Sequence, residues 1–362
     1  MNNKVLLVVA IVVVAVVAVA AVVVLGGSSH DEKEGVTDYM GNTILLKEDP
    51  KRIVSTSAVS SEMISNLGYR DTIVGVTSAA NVYDVIDYVV GLDFDLNYPA
   101  GLAQDVESGK VTRIGSYNGW TAEQAASLNP DIVIVEKAQV ETTPTKMTQL
   151  QALGIVVIVI NSDYGFQDCL DNYTMLGKIF GKQSLAKDIV KQMQKAYDNV
   201  KKVAAKSDMA GKKYAYICTC PPYGNYIYRN ALIINLLNDV GFVNALPVTE
   251  GSYVTIQLQE AIASSNPDFI VFDDMGMNLN WTEVIADWKA DPVLGSVDCI
   301  KNNKFWCMEY EPFQAIGYNS AHLINGAALI GAMVNPEDTG VTVPNIVTSE
   351  KWTQYIQWLD DY

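Results

Sequence analysis

Glu123-Gln124-Ala125-Ala126-Ser127-Leu128-Asn129-Pro130-Asp131-Ile132-Val133-Ile134-Val135 decides the fold. It reads as a short helix opened by a glutamate, a break at Asn-Pro-Asp, and a β-branched run. Proline cannot continue a helix, and the residue before it avoids the α region. The apolar run carries no alternation, which suits a strand buried on both faces of a parallel sheet. The stretch recurs as Glu260-Ala261-Ile262-Ala263-Ser264-Ser265-Asn266-Pro267-Asp268-Phe269-Ile270-Val271-Phe272. Two copies of one helix–break–strand joint, far apart in the chain, argue for two related α/β halves.

Other segments extend the pattern outward from these copies. Ile53-Val54-Ser55, Ile73-Val74-Gly75-Val76 and Val156-Val157-Ile158-Val159-Ile160 read as further buried strands, with a helix from Ser60 to Leu67 ended by Gly68. Strands alternating with helices argue for an α/β fold. Between the copies, Ile189, Val190, Met193, Ala196, Tyr197, Val200 and Val203 follow a 3.6-residue period. They predict one amphipathic helix over 183–206, roughly 33 Å long at about 1.5 Å per residue. The expected fold is two pseudo-symmetric α/β lobes joined by this single helix. The expected boundaries are 50–182 for the first lobe, 183–206 for the helix and 207–362 for the second lobe.

The N-terminus has its own signal. Val5 to Leu25 is an uninterrupted apolar run behind Lys4. About 20 such residues cross a bilayer as a helix, and the positive charge before the run places the rest of the chain outside the cytoplasm. Residues 1–25 therefore read as a transmembrane anchor or a cleaved signal, and 26–49 as a tether and entry strand. Both readings put the protein at the cell surface or beyond it.

Composition excludes several functions. The chain has 362 residues, 49% of them hydrophobic, and a net charge of −16 from 25 Lys+Arg against 41 Asp+Glu. So acidic a chain lacks the basic footprint that nucleic acid demands. With only His30 and His322, no His-rich metal centre or two-His zinc helix can be built. No Gly-x-Ser-x-Gly elbow or Gly-rich phosphate loop is present, and no nucleophile–His pair is apparent, so an extracellular hydrolase is the weaker reading. The five cysteines, an odd number, rule out full pairing. They read as small buried apolar groups, with a Cys299–Cys307 bridge across a turn as the alternative.

With these segments in order, the chain resembles the helix-linked (class III) substrate-binding proteins of ABC importers for iron complexes, haem and corrinoids. The resemblance runs over about residues 50–330. It is carried by Pro50-Lys51-Arg52-Ile53-Val54-Ser55, Ser60-Ser61-Glu62-Met63, Leu67-Gly68, Ile114-Gly115-Ser116, Leu176-Gly177-Lys178-Ile179-Phe180-Gly181, Gly241-Phe242-Val243-Asn244-Ala245 and Ile300-Lys301-Asn302-Asn303-Lys304-Phe305, together with the two repeat copies. Asn81 to Val111 fits poorly and reads as an insertion near the cleft mouth. The resemblance implies no enzyme and no resident cofactor. It implies a ferric siderophore or haem-like chelate held between the lobes, with a cobalamin-type corrinoid as the alternative. It also implies delivery to an ABC permease with its ATPase subunits, and a surface glutamate on each lobe that docks on permease arginines. Glu123 and Glu260 hold the matching positions, and first-turn carboxylates suit a helix dipole.

In open α/β sheets the ligand crevice lies beyond the strand C-termini. That rule, with the strands above, nominates Ser57, Tyr117, Trp120, Lys137, Tyr223, Tyr226, Arg229, Asp274, Tyr310 and Phe313 as ligand-binding residues. The set is aromatic, which suits a large rigid chelate, and Arg229 suits an anionic one. Asp273 with Asp274, and Glu309 with Glu311, have the chemistry to take a hard cation directly, or to cap helices instead. His322, in an apolar stretch, reads as a packing residue.

Overall fold

The computed structural model describes residues 35–362 apart from 47, 78–88, 93–100, 163–164, 210, 222 and 318–319. The apolar run Val5–Leu25 therefore lies outside the described residues, and among the described ones no helix is long and apolar enough to cross a membrane. The fold is mixed α/β, with two separate sheets of mainly parallel strands. The chain opens with an antiparallel hairpin, β1 (Val36–Thr37) and β2 (Thr43–Ile44), rather than one entry strand. The hairpin is stitched down by Asp38, whose Oδ1 accepts the Met40 and Asn42 amides and whose Oδ2 accepts the Val159 amide.

The first sheet holds β3 (Ile53–Ser55), β4 (Ile73–Val76), β5 (Thr112–Arg113), β6 (Ile132–Glu136) and β7 (Val156–Ile160). All its pairings are parallel, in the order β5-β4-β3-β6-β7. Every residue of β6 and β7 is buried, as their continuous apolar runs require. Ile132, Ile134, Ile158 and Ile160 enter one core, and Val133, Val135, Val157 and Val159 enter another on the opposite face. The second sheet runs β11-β9-β8-β12-β13-β14, with β10 beside β8. Its strands are β8 (Lys213–Cys220), β9 (Gly224–Tyr228), β10 (Val243–Asn244), β11 (Tyr253–Ile256), β12 (Phe269–Asp273), β13 (Phe305–Met308) and β14 (Ile346–Val347). Here β9 and β11 run antiparallel to their neighbours.

The two sequence copies occupy the same structural role. In each, the Asn before proline takes a left-handed conformation, at φ 47° for Asn129 and 44° for Asn266. Asparagine tolerates that region better than most residues. The Asp after proline then clamps the start of the adjacent strand. Asp131 Oδ2 accepts the Lys51 and Arg52 amides at 2.8 and 3.0 Å, and Asp268 Oδ2 accepts the Lys213 amide at 2.7 Å. The repeated motif is thus a device that seats a helix-fed strand beside the first strand of each sheet.

The long helix spans Gln183–Ala205 and buries Ala186, Ile189, Met193, Ala196, Tyr197, Val200, Val203 and Ala204 on one stripe. That stripe packs against Phe166–Ile179 of the first half and against Leu323–Val334 and Leu232–Asp239 of the second. One apolar core consequently runs without a break from β3 to β14. The helix predicted from Ser60 to Leu67 starts earlier, at Ala58, because Ser57 caps it. It gives way after Ile64 to a wider turn that Gly68 ends at φ 88°. Within 81–111, Val90 and Gly91 pack against the second half and the long helix. The Val90 amide meets Asn325 Oδ1 at 2.9 Å, the Gly91 amide meets Asp360 Oδ1 at 2.7 Å, and Gly91 lies against Leu359 and Ala196 of the long helix. All five cysteines are buried and free, so Cys299 and Cys307 are not bridged.

Candidate functional site

A cleft of about 700 Å³ opens between the two halves, beyond the C-termini of β6 and β9. Lys137, Glu141 and Ser162 line it from the first half, and Tyr228, Arg229 and Tyr253 from the second. Each side contributes one cation. Lys137 opens the helix Lys137–Thr142 directly after β6, and the Ser162 hydroxyl takes the Ala138 amide at 3.0 Å. Arg229 follows β9 and is exposed; its backbone N–H donates to Ser252 at 2.9 Å, which fixes its position beside β11.

Below the first wall, the strand ends are knitted by Glu136 and Gln139. The Tyr117 hydroxyl donates to Glu136 Oε2 at 2.6 Å. Burial pushes the Glu136 carboxyl above the usual range, opposed by hydrogen bonds from Ser57 and Tyr117. Gln139 accepts the Thr56 hydroxyl and the Glu136 amide, and its own amide donates to Thr56 O and Tyr117 O. Such a satisfied network makes this wall rigid.

The second wall has a side pocket of about 80 Å³, lined by Tyr216, Tyr228, Asn230, Met275 and Phe313 among others. Tyr228 and Asn230 line both spaces. Asp273 ends β12 next to two of the lining residues, Tyr216 and Met275, and is wholly buried. Its Oδ1 accepts the Met275 amide at 2.9 Å. Desolvation pushes its carboxyl from the ordinary 3.8 up to about 6, and contacts with Tyr216 and Cys218 oppose the rise.

The structure sorts the predicted residues. Lys137 and Arg229 line the cleft, and Phe313 lines its side pocket. Tyr226 and Tyr223 are not among the residues lining either space: the Tyr226 hydroxyl donates to Tyr223 O at 2.8 Å, its ring meets Tyr253 edge-on at 5.7 Å, and Tyr223 is 67% exposed. Tyr310 is half-buried against Gly276, where a Cβ would strike its ring at 2.6 Å. Tyr117 braces Glu136. Three nominations are corrected. Ser57 is a buried N-cap that accepts the Ser60 amide at 3.1 Å. Trp120 is 1% exposed in the apolar core beneath the first sheet, with Lys146 over its ring. Asp274 closes a turn, taking the Gly276 and Leu279 amides at 2.9 Å each. Ser57 and Asp274 carry short polar side chains just past strand ends, where capping claims them first, and Trp120 sits just before a helix cap, where packing claims it.

Tyr216, Ser162 and Tyr253 also face these spaces. Only Tyr216 and the Tyr226–Tyr228 pair carry a sequence signal, a period-2 alternation on strands that places them on one sheet face. Glu123 and Glu260 are exposed in the first turns of their helices. His322 is tied into the joint between the halves: its Nδ1 lies 2.7 Å from Glu62 Oε2, which also accepts the Ser320 hydroxyl at 2.6 Å. Among the described residues, no group of three His, Cys, Asp or Glu side chains is arranged to hold a metal ion.

Two α/β halves facing one another across a lined cleft are the architecture of a two-lobed binding protein. The chain belongs to the periplasmic binding protein family, whose model matches residues 53–310. It is 23% identical over 304 residues to the uncharacterized ABC transporter substrate-binding lipoprotein YvrC of Bacillus subtilis strain 168, covering 83% of this chain and 85% of that protein. It is similar in fold to a periplasmic solute binding protein of Veillonella parvula, at TM-score 0.62 and 20% identity over 91% of this chain and 93% of that one. It is likewise similar to a periplasmic heme binding protein of Pseudomonas aeruginosa, at TM-score 0.60 and 18% identity over 80% and 94% of the two chains.

Proposed function

We propose that this protein is the extracytoplasmic substrate-binding component of an ABC importer, and that it captures an anionic metal chelate, a ferric siderophore or a haem-like complex. The observation that carries the reading is the cleft itself. It is lined by both halves, and Lys137 and Arg229 face it from opposite sides. In a chain of net charge −16, a crevice lined by two cations, Lys137 and Arg229, against one carboxylate, Glu141, favours an anionic guest, since local potential and not net charge steers a ligand. Tyrosine faces supply flat apolar contact for a rigid chelate. Capture needs no chemistry. The chelate enters, the two lobes (50–182 and 207–362) rock about the helix 183–206, and the loaded protein presents Glu123 and Glu260 to the permease and its ATPase subunits. Val5–Leu25 holds the protein at the outer face of the membrane.

Titration of the detergent-solubilised full chain, read by intrinsic Tyr and Trp quenching, tests the cargo. The panel is a ferric catecholate, a ferric hydroxamate, haem and cobinamide. Sub-micromolar binding of an anionic chelate, weakened at least tenfold by Arg229→Ala, supports the reading. Binding of none of the four would refute it.

A further inference from the structure

The cleft that carries the chelate reading is not uniformly cationic. Lys137 and Arg229 line it, and so does Glu141. Glu141 stands four residues after Lys137 on the helix Lys137–Thr142, and residues so spaced share one helix face. Glu141 is exposed, and among the described residues its carboxylate has no ion-pair or hydrogen-bond partner. Lys137 therefore does not neutralise it through a salt bridge. Helix stability does not account for it either. Glu141 is the last residue but one of its helix, and a negative charge there opposes the helix dipole. A carboxylate kept at this position acts instead on what enters the crevice, and it repels the anions that the two cations attract.

We propose that Glu141 is a specificity-determining residue that limits the negative charge of the cargo, so that a monoanionic chelate is preferred over a trianionic one. Attraction between a guest and the cleft wall grows in proportion to the guest's charge. The cost of taking that guest out of water is a Born term, which grows with the square of the charge. The best guest is then one whose charge matches the wall. Two cations without Glu141 would match a dianion; among the described lining residues Glu141 leaves one net positive charge, which matches a monoanion. The size of the effect follows from the cleft. Two unit charges about 8 Å apart, the scale of a space of about 700 Å³, change affinity about two- to threefold in a medium close to water. That factor multiplies with each further charge on the guest, to about tenfold or more for a trianion. Iron chelates differ in this respect. A ferric tris-catecholate is a trianion, ferric protoporphyrin with both propionates ionised is a monoanion, and a ferric tris-hydroxamate takes the charge of its substituents. This inference rests on the chelate reading and deepens it, because it names the charge class of the cargo at the same cleft.

The test compares the detergent-solubilised full chain with its Glu141→Gln variant against chelates matched in shape and stepped in charge. One pair is a ferric tris-hydroxamate with its terminal amine N-acetylated, which is neutral, or N-succinylated, which is a monoanion. The other pair is a tris-catecholate holding titanium(IV), a dianion, or iron(III), a trianion. Dissociation constants are read by Tyr and Trp quenching at about 20 mM and about 500 mM salt, since screening separates a charge effect from a change in fit. In the parent, the N-succinyl form is expected to bind more tightly than the N-acetyl form, and the titanium dianion more tightly than the ferric trianion. Glu141→Gln is expected to leave the neutral chelate unchanged, to tighten the monoanion about two- to threefold, and to tighten the trianion about tenfold or more at low salt. These gains should shrink at high salt. A gain of equal size on all the chelates, no gain on any, or a gain that persists at high salt overturns the role of Glu141 and leaves the chelate reading standing. Binding of none of the chelates by either protein overturns both readings.

Discussion

Desolvation of the Asp273 carboxylate destabilises the fold despite its hydrogen bonds from Tyr216, Cys218 and the Met275 amide, and its replacement by asparagine exposes the cost. The carboxyl titrates at about 6 in the folded protein against an ordinary 3.8. A folded-state value above the unfolded one means that the folded chain holds the proton more tightly. The group then costs nothing below about pH 4, costs more as pH rises toward 6, and carries its full penalty above that. Roughly two pH units at about 1.4 kcal/mol each give about 3 kcal/mol. In the Asp273→Asn variant, the side-chain oxygen would still accept the Met275 amide, now 2.9 Å from Oδ1. The variant would also bury a new N–H, at about 1 kcal/mol or more. The net expectation is that Asp273→Asn stabilises the free protein by about 1–2 kcal/mol at pH 7.5 and loses that advantage by pH 4. Thermal and urea unfolding of both proteins at pH 7.5, 6 and 4 measures the difference directly. A gap of a few degrees in melting temperature that closes on acidification is expected. A gap of constant size at all three pH values, or a variant less stable than the parent at pH 7.5, would refute the assignment of a desolvated buried charge.

Reversing both Glu123 and Glu260 to arginine should abolish uptake in cells while leaving chelate affinity within about twofold, because both side chains are exposed and neither lines the cleft; uptake that survives the double reversal would end the docking role. Trp120→Ala should cost about 3–5 kcal/mol in unfolding free energy with chelate affinity unchanged, since the ring is 1% exposed in the core; lost affinity without lost stability would return it to the cleft. All five cysteines are buried and free, so a thiol reagent should find almost none in the native protein and five after denaturation without reductant; three after denaturation would reveal a disulfide.

Much of the fold was legible because the copied joint is read by local rules. Asn-Pro-Asp fixes a break, a left-handed asparagine and a strand clamp, and the break and the asparagine depend on residues within a few positions of each other. The β6 and β7 runs likewise announced their double burial. The site was less legible, because what a strand-end side chain does is decided by its partners in the fold. Ser57 and Asp274 look like ligand contacts until the amides they accept are seen. Trp120 follows a loop yet packs under the sheet, since the capping box of Thr121 and Gln124 starts a helix just beyond it. Tyr253 reaches the cleft only through the antiparallel pairing of β11 with β9, where Tyr253 lies opposite Tyr228, and no local pattern predicts that pairing. His322 has a partner 260 residues away in Glu62.

That last contact bears on how the cleft works. The two halves share more than the helix Gln183–Ala205. The apolar core crosses from one to the other, Glu62 holds both Ser320 and His322, and Asn325 and Asp360 hold the amides of Val90 and Gly91. A wide hinge opening would tear these groups apart and expose the shared apolar core, at about 25 cal/mol for each Å² of apolar surface returned to water. Closure must then be a small rocking of the cleft rims about an intact joint, closer to shear than to hinge motion. Small-angle scattering of free and chelate-loaded protein should show radii of gyration within about 1 Å of each other. Compaction of several ångströms would mean that the Glu62 joint opens in the free state. In that case Glu62→Gln, which removes the charge but keeps the shape, should shift the free protein further toward the open form. If the radii agree, delivery to the permease cannot rely on a large change in shape, and the spacing of Glu123 and Glu260 on the two halves becomes the quantity that reports the loaded state.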